Sequence, residues 1–181
     1  MTDPDKLRLF TALPVSVRLS EQAATLPRGG LEAKWNKNDD LHITLRFLGE
    51  VEPERLPEIQ EALARVRRPA FYVEVRGMDR FDQKREAILY AVIESTRQLN
   101  TLCAEIGEAL TPLGFDFGTR PYVPHVTLAR LKSWRDLDTY IAKNERKIND
   151  HWQATHFGLM QSTGLDEGER FLELTRYPLQ S

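Results

Sequence analysis

Hydrophobic residues follow two different spacings along the chain. Alternation of apolar and polar positions, or a short apolar run, predicts strands at residues 7–13, 31–35, 41–49, 71–75, 87–93, 122–131, 152–161 and 170–177. Apolar positions at helical spacing, bounded by proline or glycine, predict helices at residues 14–26, 53–68, 96–110 and 134–146. Because strands and helices are mixed throughout the chain, the pattern predicts an α+β fold.

Two of the predicted strands carry the same four-residue pattern. The first copy is His42-Ile-Thr-Leu45 and the second is His125-Val-Thr-Leu128. Alternate side chains of a strand point to the same face, so the His and Thr of each copy share one face and the apolar residues share the other. No linker rich in Gly, Ser or Pro separates the copies. We therefore expect residues 1–181 to form one domain of two similar lobes, with one His-x-Thr strand in each lobe.

The composition bounds the possible functions. With 41% apolar and 29% charged residues the chain can bury a core, and a formal net charge of -2 argues against binding of long nucleic acid by phosphate neutralisation. A short RNA end or a nucleotide remains compatible. The chain starts without a signal-peptide pattern, and no segment reaches the ~18 apolar residues of a membrane span. We expect a monomeric cytoplasmic protein without a membrane contact, and we expect its single cysteine, Cys103, to be buried and inert.

Two imidazoles and two hydroxyl groups in one groove would supply acid–base chemistry. An imidazole has an ordinary pKa of about 6.5, so near neutral pH one can accept a proton while another donates one. Such a pair suits phosphoryl chemistry: one His deprotonates an attacking water, the other protonates the leaving alkoxide, and the Thr hydroxyls hold the phosphate oxygens. The scheme needs no metal and no other cofactor, and it predicts a bell-shaped dependence of rate on pH.

Two other interpretations of the histidines stay open. Histidine is a common zinc ligand, but neither copy has carboxylate or thiol ligands at the local spacings that zinc sites show. Alternatively, both are strand histidines without a chemical role, and the threonines are present because they suit β-structure. The repetition of the pattern favours the chemical interpretation. The other two histidines, His151 and His156, have no Thr partner, and we expect them to lie outside the site.

These motifs resemble those of the 2H phosphoesterase superfamily, which is defined by two His-x-Thr-apolar motifs in a two-lobed α+β fold. Within it the chain is similar to the bacterial and archaeal RNA 2',3'-cyclic phosphodiesterases once named 2'-5' RNA ligases. The resemblance spans nearly the whole chain and rests on residues 8–10 with Pro14, on residues 41–50 and on residues 120–130. It implies that each lobe is an antiparallel sheet with helices on its outer side, and that the lobes face each other across a central groove.

The resemblance also implies a reaction, the hydrolysis of a terminal RNA 2',3'-cyclic phosphate to a 2'-phosphomonoester, with 2'-5' RNA joining as the reverse. By position, His42 would be the proton donor to the departing 3'-oxygen and His125 the proton acceptor that activates water. Thr44, Thr127 and Arg130 would bind the phosphate. The partners would be RNA ends or nucleotides with a 2',3'-cyclic phosphate. From the residues alone the two histidines are equivalent, so the assignment of acid and base comes from the resemblance.

Two other functions fit the same motifs. One is an esterase for a small cyclic nucleotide or an ADP-ribose cyclic phosphate, which a closed pocket without a basic rim would favour. The other is a non-catalytic module that binds RNA ends. The C-terminal segment departs from the family pattern, because residues 157–164 and the acidic Asp166-Glu-Gly-Glu169 replace the usual strand and short loop. Substrate choice could therefore differ while the motifs keep the reaction type.

Four residues beside the motifs are candidates for the groove. Strict alternation puts Arg130 on the face opposite to the second His-Thr pair, so that it reaches the groove only where the strand ends or twists. The same rule puts Arg46 on the groove face and Phe47 on the core side, although a Phe47 in the groove would be able to stack a base. We keep Arg46 and Phe47 as possible groove residues. Tyr122, just before the second motif, could frame the pocket.

Overall fold

A computed structural model of the chain describes residues 5–29, 31–84, 86–132, 136–164 and 170–180. The helices are α1 Val17–Ala24, α2 Leu56–Leu63, α3 Arg97–Leu110 and α4 Leu137–Asn144. The strands are β1 Leu7–Pro14, β2 Ala33–Trp35, β3 His42–Val51, β4 Phe71–Asp82, β5 Ala87–Ile93, β6 His125–Leu131, β7 Asn149–Ala154, β8 His156–Ser162 and β9 Phe171–Pro178. None of the helices in these ranges is long and apolar enough to cross a membrane.

The described strands form one antiparallel sheet in the order β7-β4-β5-β6-β3-β1-β8-β9, and β2 also pairs with β6. One half of the sheet consists of β3, β1, β8 and β9, and the other of β6, β5, β4 and β7. The halves meet at β3 and β6, where Ile43 and Val126 are paired in register. The predicted α+β class with two lobes is confirmed, with the difference that the two lobes share one continuous sheet.

The helices pack on both halves of the sheet. Helix α3 packs against α2 and β3, helix α1 contacts β7, and helix α4 contacts β4. Cys103 on α3 is buried, and its thiol donates a hydrogen bond to the backbone oxygen of Leu45 at 3.2 Å. Burial raises the pKa of the Cys103 thiol. A buried thiol with a raised pKa is a poor nucleophile, so the expectation of a buried, unreactive cysteine is confirmed for its burial and supported for its chemistry.

Local capping sets the helix bounds more tightly than the hydrophobic pattern does. The predicted start of the first helix at residue 14 is wrong, because Pro14 still pairs with His42 in the sheet and Ser16 is the N-cap. The Ser16 hydroxyl accepts a hydrogen bond from the Leu19 amide at 2.9 Å, as an N-cap side chain should. The helix predicted at 53–68 is a short 3-10 turn followed by α2, and the predicted start of the last helix at residue 134 lies outside the described residues.

One predicted strand is in fact two. The segment predicted at 152–161 breaks at Thr155 into β7, which pairs with β4, and β8, which pairs with β1. The chain therefore passes between the two halves of the sheet at this point. Hydrophobic pattern alone does not reveal the break, because no proline or glycine separates the two segments and Thr155 is itself compatible with a strand. The acidic residues 166–169 that distinguish the C-terminal segment lie outside the described residues.

Each motif strand carries a β-bulge just after its Thr. In the pairing of β3 with β1, Leu45 has no partner, because Thr44 and Arg46 face consecutive residues of β1. In the pairing of β6 with β5, Leu128 has no partner, because its two neighbours face consecutive residues of β5. A bulge inserts one residue and so reverses the alternation of faces beyond it. The faces that strict alternation assigns are therefore wrong beyond both motifs.

A further irregularity of β3 leads to a prediction about Gly49, which has a φ of +81°. No atom lies within 4 Å of a Cβ built at Gly49, so Gly49→Ala introduces backbone strain without a steric clash. We expect Gly49→Ala to lower the free energy of unfolding by about 1–2 kcal/mol, the cost of a left-handed conformation for a residue with a Cβ. Unfolding in urea measures this free energy. Gly29→Ala is the matched control, because Gly29 has equally open surroundings and no positive φ. Equal losses in the two variants would contradict the prediction.

Candidate active site

Ile43 and Val126, the residue pair that joins the two halves of the sheet, each lie between the His and the Thr of their motif. Continuing the antiparallel register by one residue in each direction sets His42 across from Thr127 and Thr44 across from His125. The repeated motif is thus arranged with approximate two-fold symmetry, the His of one copy opposite the Thr of the other. All four side chains line a single cavity of about 270 Å³, together with Asn36, Asp40, Arg130, Arg170 and Phe171.

Each histidine is fixed by a backbone carbonyl two residues before it. His42 Nδ1 lies 2.7 Å from the oxygen of Asp40, and His125 Nδ1 lies 2.8 Å from the oxygen of Val123. A carbonyl oxygen can only accept, so Nδ1 is the donor in both cases. This leaves Nε2 of each ring as the atom that can accept or donate a proton. The two histidines therefore have the same tautomer and the same means of support.

Aromatic rings surround both imidazoles. Each imidazole contacts two rings, at centroid distances of 4.8 to 5.4 Å: Phe10 and Phe171 for His42, and Phe81 and Tyr90 for His125. The two rings of each pair also contact each other. Such surroundings remove water from the imidazole and disfavour its charged form. Burial accordingly lowers the pKa of His42 and of His125 below the ordinary value.

The charged neighbours distinguish the two histidines. After burial, the next influences on the pKa of His42 are the backbone oxygen and the carboxylate of Asp40, which raise it, and these exceed the lowering by His125 and Arg170. The pKa of His125 is lowered by burial and raised by its hydrogen bond to Val123, and the guanidinium of Arg130 lowers it further. His42 therefore has a carboxylate neighbour that favours the imidazolium, and His125 has a cationic neighbour that favours the neutral ring.

Arg130 lies on the cavity side of β6 because of the bulge at Leu128. The interpretation by strict alternation, which put Arg130 on the opposite face, is wrong for this reason. Its Nη1 donates a hydrogen bond to Glu86 Oε1 at 2.7 Å, and the arginine side chain is 45% exposed. An arginine at the mouth of the cavity can turn its remaining donors toward an anion.

The bulge at Leu45 exchanges the positions expected for Arg46 and Phe47. Arg46 faces helix α3, where its Nε donates to the backbone oxygen of Cys103 at 3.0 Å, and its guanidinium lies 5.0 Å from the centroid of the Phe117 ring. The expectation of Arg46 as a groove residue is therefore wrong. Strict alternation puts Phe47 on the core side, which is wrong: Phe47 is 51% exposed and, as the alternative interpretation expects, lines a cavity with the first His-Thr pair.

Several residues of the cavity could not be found from the sequence. Arg170 directly precedes β9, and its Nη1 donates a hydrogen bond to Asn36 Oδ1 at 3.2 Å. Asn36 in turn donates from Nδ2 to the backbone oxygen of Thr127 at 2.8 Å. No motif links these distant positions. The one available signal was a cation, Arg170, directly before an aromatic residue at the start of a predicted strand.

Tyr122 does not line the catalytic cavity but supports the backbone of the first motif. Its hydroxyl donates to the backbone oxygen of Thr44 at 2.9 Å, so the segment before the second motif holds the first motif strand. Burial raises the pKa of the Tyr122 phenol, which keeps it a hydrogen-bond donor. Tyr122 therefore ties the two motifs together independently of the β3–β6 pairing.

The other two histidines do not line the cavity. His151 is exposed on β7, and His156 begins β8 and lines a neighbouring cavity of about 170 Å³ that also reaches His42. Within the described ranges, no group of three or more His, Cys, Asp and Glu side chains is arranged so that it could hold a metal ion. The polar groups that line the catalytic cavity include two imidazoles, two hydroxyls, two guanidinium groups, the Asp40 carboxylate and the Asn36 amide.

The sequence matches a known family over most of its length. The model of the 2'-5' RNA ligase superfamily matches residues 17–166. An RNA 2',3'-cyclic phosphodiesterase of Thermotoga maritima is 34% identical over 137 residues, which cover 72% of this chain and 73% of that protein. A protein of the same name from Aeropyrum pernix is 33% identical over 135 residues, covering 74% and 76%.

Solved structures share the fold. E. coli LigT complexed with 3'-AMP superposes with a TM-score of 0.76 at 24% identity, and the match covers 97% of this chain and 99% of LigT. A Thermus thermophilus protein superposes with a TM-score of 0.78 at 23% identity, covering 96% and 98%. The fold is thus shared over nearly the whole chain.

The environment of the imidazoles predicts their titration. In phosphate-free buffer we expect the ring resonances of His42 and His125 to titrate with midpoints below the ordinary value of 6.5, because burial disfavours the charged form. Inorganic phosphate should raise both midpoints, because a bound anion favours the imidazolium. NMR titration, with resonances assigned through His→Gln variants, measures both effects. A midpoint at or above 6.5 for either ring in phosphate-free buffer would contradict the account of that ring.

Proposed function

The chain belongs to the 2'-5' RNA ligase superfamily, and on this premise we propose that it is an enzyme that hydrolyses a terminal RNA 2',3'-cyclic phosphate to a 2'-phosphomonoester. The proposal rests on one observation: two His and two Thr side chains line one cavity, each His opposite the Thr of the other motif. Curated relatives named RNA 2',3'-cyclic phosphodiesterase support it.

In the proposed reaction His125 is the general base. Its neutral Nε2 accepts a proton from water while the water oxygen forms a bond to phosphorus. His42 is the general acid, and its Nε2–H gives a proton to the 3'-oxygen as the bond from phosphorus to that oxygen breaks. One water is added in total, the 2'-oxygen keeps the phosphate, and the product is a 2'-phosphomonoester with a free 3'-hydroxyl. Each positioned proton transfer contributes roughly 10²–10⁴ in rate.

The remaining polar groups bind the phosphate. Thr44 and Thr127 donate hydrogen bonds to its non-bridging oxygens, and Arg130 and Arg170 offset the negative charge that grows as water attacks. Asn36 holds Arg170 in place and anchors it to the motif strand β6. The guanidinium groups act where the cavity opens, and the hydroxyls act between the two histidines.

The charged neighbours support this division of roles between the histidines. Asp40 beside His42 favours the imidazolium that an acid requires, and Arg130 beside His125 favours the neutral ring that a base requires. Since burial lowers the pKa of both rings, the free protein holds both largely neutral at pH 7. Binding of the anionic phosphate raises the pKa of His42, so the ring takes up a proton from solvent and can act as the acid.

The rim of the cavity favours an RNA end over a small cyclic nucleotide. Arg8, Arg130 and Arg170 line the cavity that opens from the site, whereas a small-molecule esterase would favour a closed pocket without a basic rim. With an RNA 5'-hydroxyl in place of water, the same groups would form a 2'-5' linkage. The monomeric, cytoplasmic state expected from the sequence stays a prediction.

The direct test is a product assay in EDTA. The purified protein is incubated with a short RNA that ends in a 2',3'-cyclic phosphate, and the product is identified by mass and by the position of the phosphate. We expect the gain of one water and a 2'-phosphate. His42→Ala and His125→Ala should each lose roughly 10²–10⁴ in rate, because each removes one proton transfer. His151→Ala, outside the cavity, should keep the wild-type rate.

Two results would contradict the proposal. Full activity in either His42→Ala or His125→Ala would refute the two-histidine mechanism, and loss of wild-type activity in EDTA would refute its metal independence. If a folded wild type does not hydrolyse the RNA but hydrolyses a nucleoside 2',3'-cyclic phosphate, the substrate is the small molecule. If it hydrolyses neither but binds the RNA end, the protein is a binding module.

A further inference from the structure

A second cavity of about 220 Å³ continues from the catalytic cavity along β3. The two cavities share the first His-Thr pair, both site arginines and Phe171. The second cavity adds Arg8 and Phe10 from β1, Phe47 from β3 and Ser162 from β8. Of these four, Phe10 packs against His42 and belongs to the catalytic site. The proposed mechanism gives no role to Arg8, Phe47 or Ser162, so this part of the extension needs its own explanation.

Arg8 and Phe47 form the outer wall of this extension. The Cζ atom of Arg8 lies 5.1 Å from the centroid of the Phe47 ring, a cation–π distance. The ring is half exposed. In the part of the chain that the structure describes, no carboxylate forms an ion pair with Arg8. Glu50, its in-register neighbour on β3, forms no ion pair with it. An exposed aromatic ring beside a guanidinium without an ion-pair partner is the combination that binds single-stranded nucleic acid, by base stacking and by contact with phosphate.

The distance from the catalytic threonine to this wall suits the length of one nucleotide. Phe47 follows Thr44 by three residues, and the bulge at Leu45 brings both to the same face of the strand. At ~3.3 Å per residue the separation along the strand is about 10 Å. An RNA whose terminal phosphate lies between the two histidines would therefore bring its preceding phosphate and a base to Arg8 and Phe47.

Charge supports the same conclusion. A nucleoside 2',3'-cyclic phosphate carries one phosphate group, and Arg130 and Arg170 already line the cavity that holds it. Arg8 lines only the extension. A third guanidinium that does not line the catalytic cavity is matched by a second phosphate, which an oligonucleotide supplies.

We propose that Arg8 binds the internucleotide phosphate on the 5' side of the terminal nucleotide, and that Phe47 stacks a base of the same RNA. This inference rests on the proposed function and deepens it, because it makes the enzyme selective for oligonucleotides over nucleoside cyclic phosphates. The two residues determine specificity and take no part in the proton transfers.

The test compares two substrates with the same terminal nucleoside: a nucleoside 2',3'-cyclic phosphate with a 5'-hydroxyl, and a dinucleotide ending in that nucleoside 2',3'-cyclic phosphate. Arg8→Ala should lower kcat/KM for the dinucleotide about 10- to 100-fold, mainly through KM, because a charge-assisted hydrogen bond is lost. It should leave kcat/KM for the nucleoside substrate unchanged, which also shows that the variant is folded. Phe47→Ala should lower kcat/KM for the dinucleotide roughly tenfold.

Two controls sharpen the comparison. Arg8→Lys keeps the charge and should restore part of the dinucleotide activity. Arg65→Ala removes a cation that is 75% exposed and lies just after α2, and it should leave kcat/KM unchanged for both substrates. The salt dependence gives a further readout. In a plot of log kcat/KM for the dinucleotide against log salt concentration, the slope for Arg8→Ala should be shallower than the wild-type slope by about 0.7, the value for one phosphate contact with a single strand.

The outcomes separate this inference from the proposed function. Equal losses on both substrates, or no loss on the dinucleotide, would overturn the Arg8 site while the hydrolysis itself stands. If the wild type hydrolyses neither substrate, the proposed function fails, and the same variants are compared for binding of the dinucleotide. Equal affinity of wild type and Arg8→Ala would then overturn the site as well.

Discussion

The pairing of Ile43 with Val126 is the contact on which the site depends. Both side chains are fully buried, so the core fixes the register of β3 against β6 at the point where the two halves of the sheet meet. A slip of either strand by one residue would turn the histidine of that strand into the core. Because both paired residues lie at the centre of their motifs, this register places each His across from the Thr of the other copy. The apolar position inside each motif is therefore as necessary to the geometry as the polar ones.

The environment of the site then sets its chemistry. Aromatic rings hold and desolvate each imidazole, and a backbone carbonyl fixes each tautomer. These supports are equivalent in the two halves, and the charges are not: Asp40 lies beside His42, and Arg130 lies beside His125. An almost symmetric scaffold can thus carry an acid and a base. The distinction comes from the carboxylate beside His42, whose influence exceeds that of Arg170 on the same ring, and from the cation beside His125.

Much of this could be predicted from the sequence, and the failures have physical causes. The motifs repeat locally, and alternation holds from each His to the Leu that ends its motif, so the fold class and the shared face of His and Thr follow from the pattern. Beyond Leu45 and Leu128 the bulges reverse the faces, which moved Arg130 and Phe47 to the cavity side and Arg46 to the helix side. A bulge depends on the partner strand, which the sequence of one strand does not specify. Arg170 and Asn36 meet only because β9 returns to the site from the far end of the chain.

The central claim is that His42 and His125 act together on one phosphate, and a double-mutant cycle tests it most directly. The rate constant kcat/KM for an RNA 2',3'-cyclic phosphate is measured for wild type, His42→Ala, His125→Ala and the double variant. If the two proton transfers belong to one step at one phosphate, the double variant should be no slower than the slower single variant within a few-fold, because residues that act as a unit are not additive. If the two losses multiply, the histidines contribute independently and the paired mechanism is wrong.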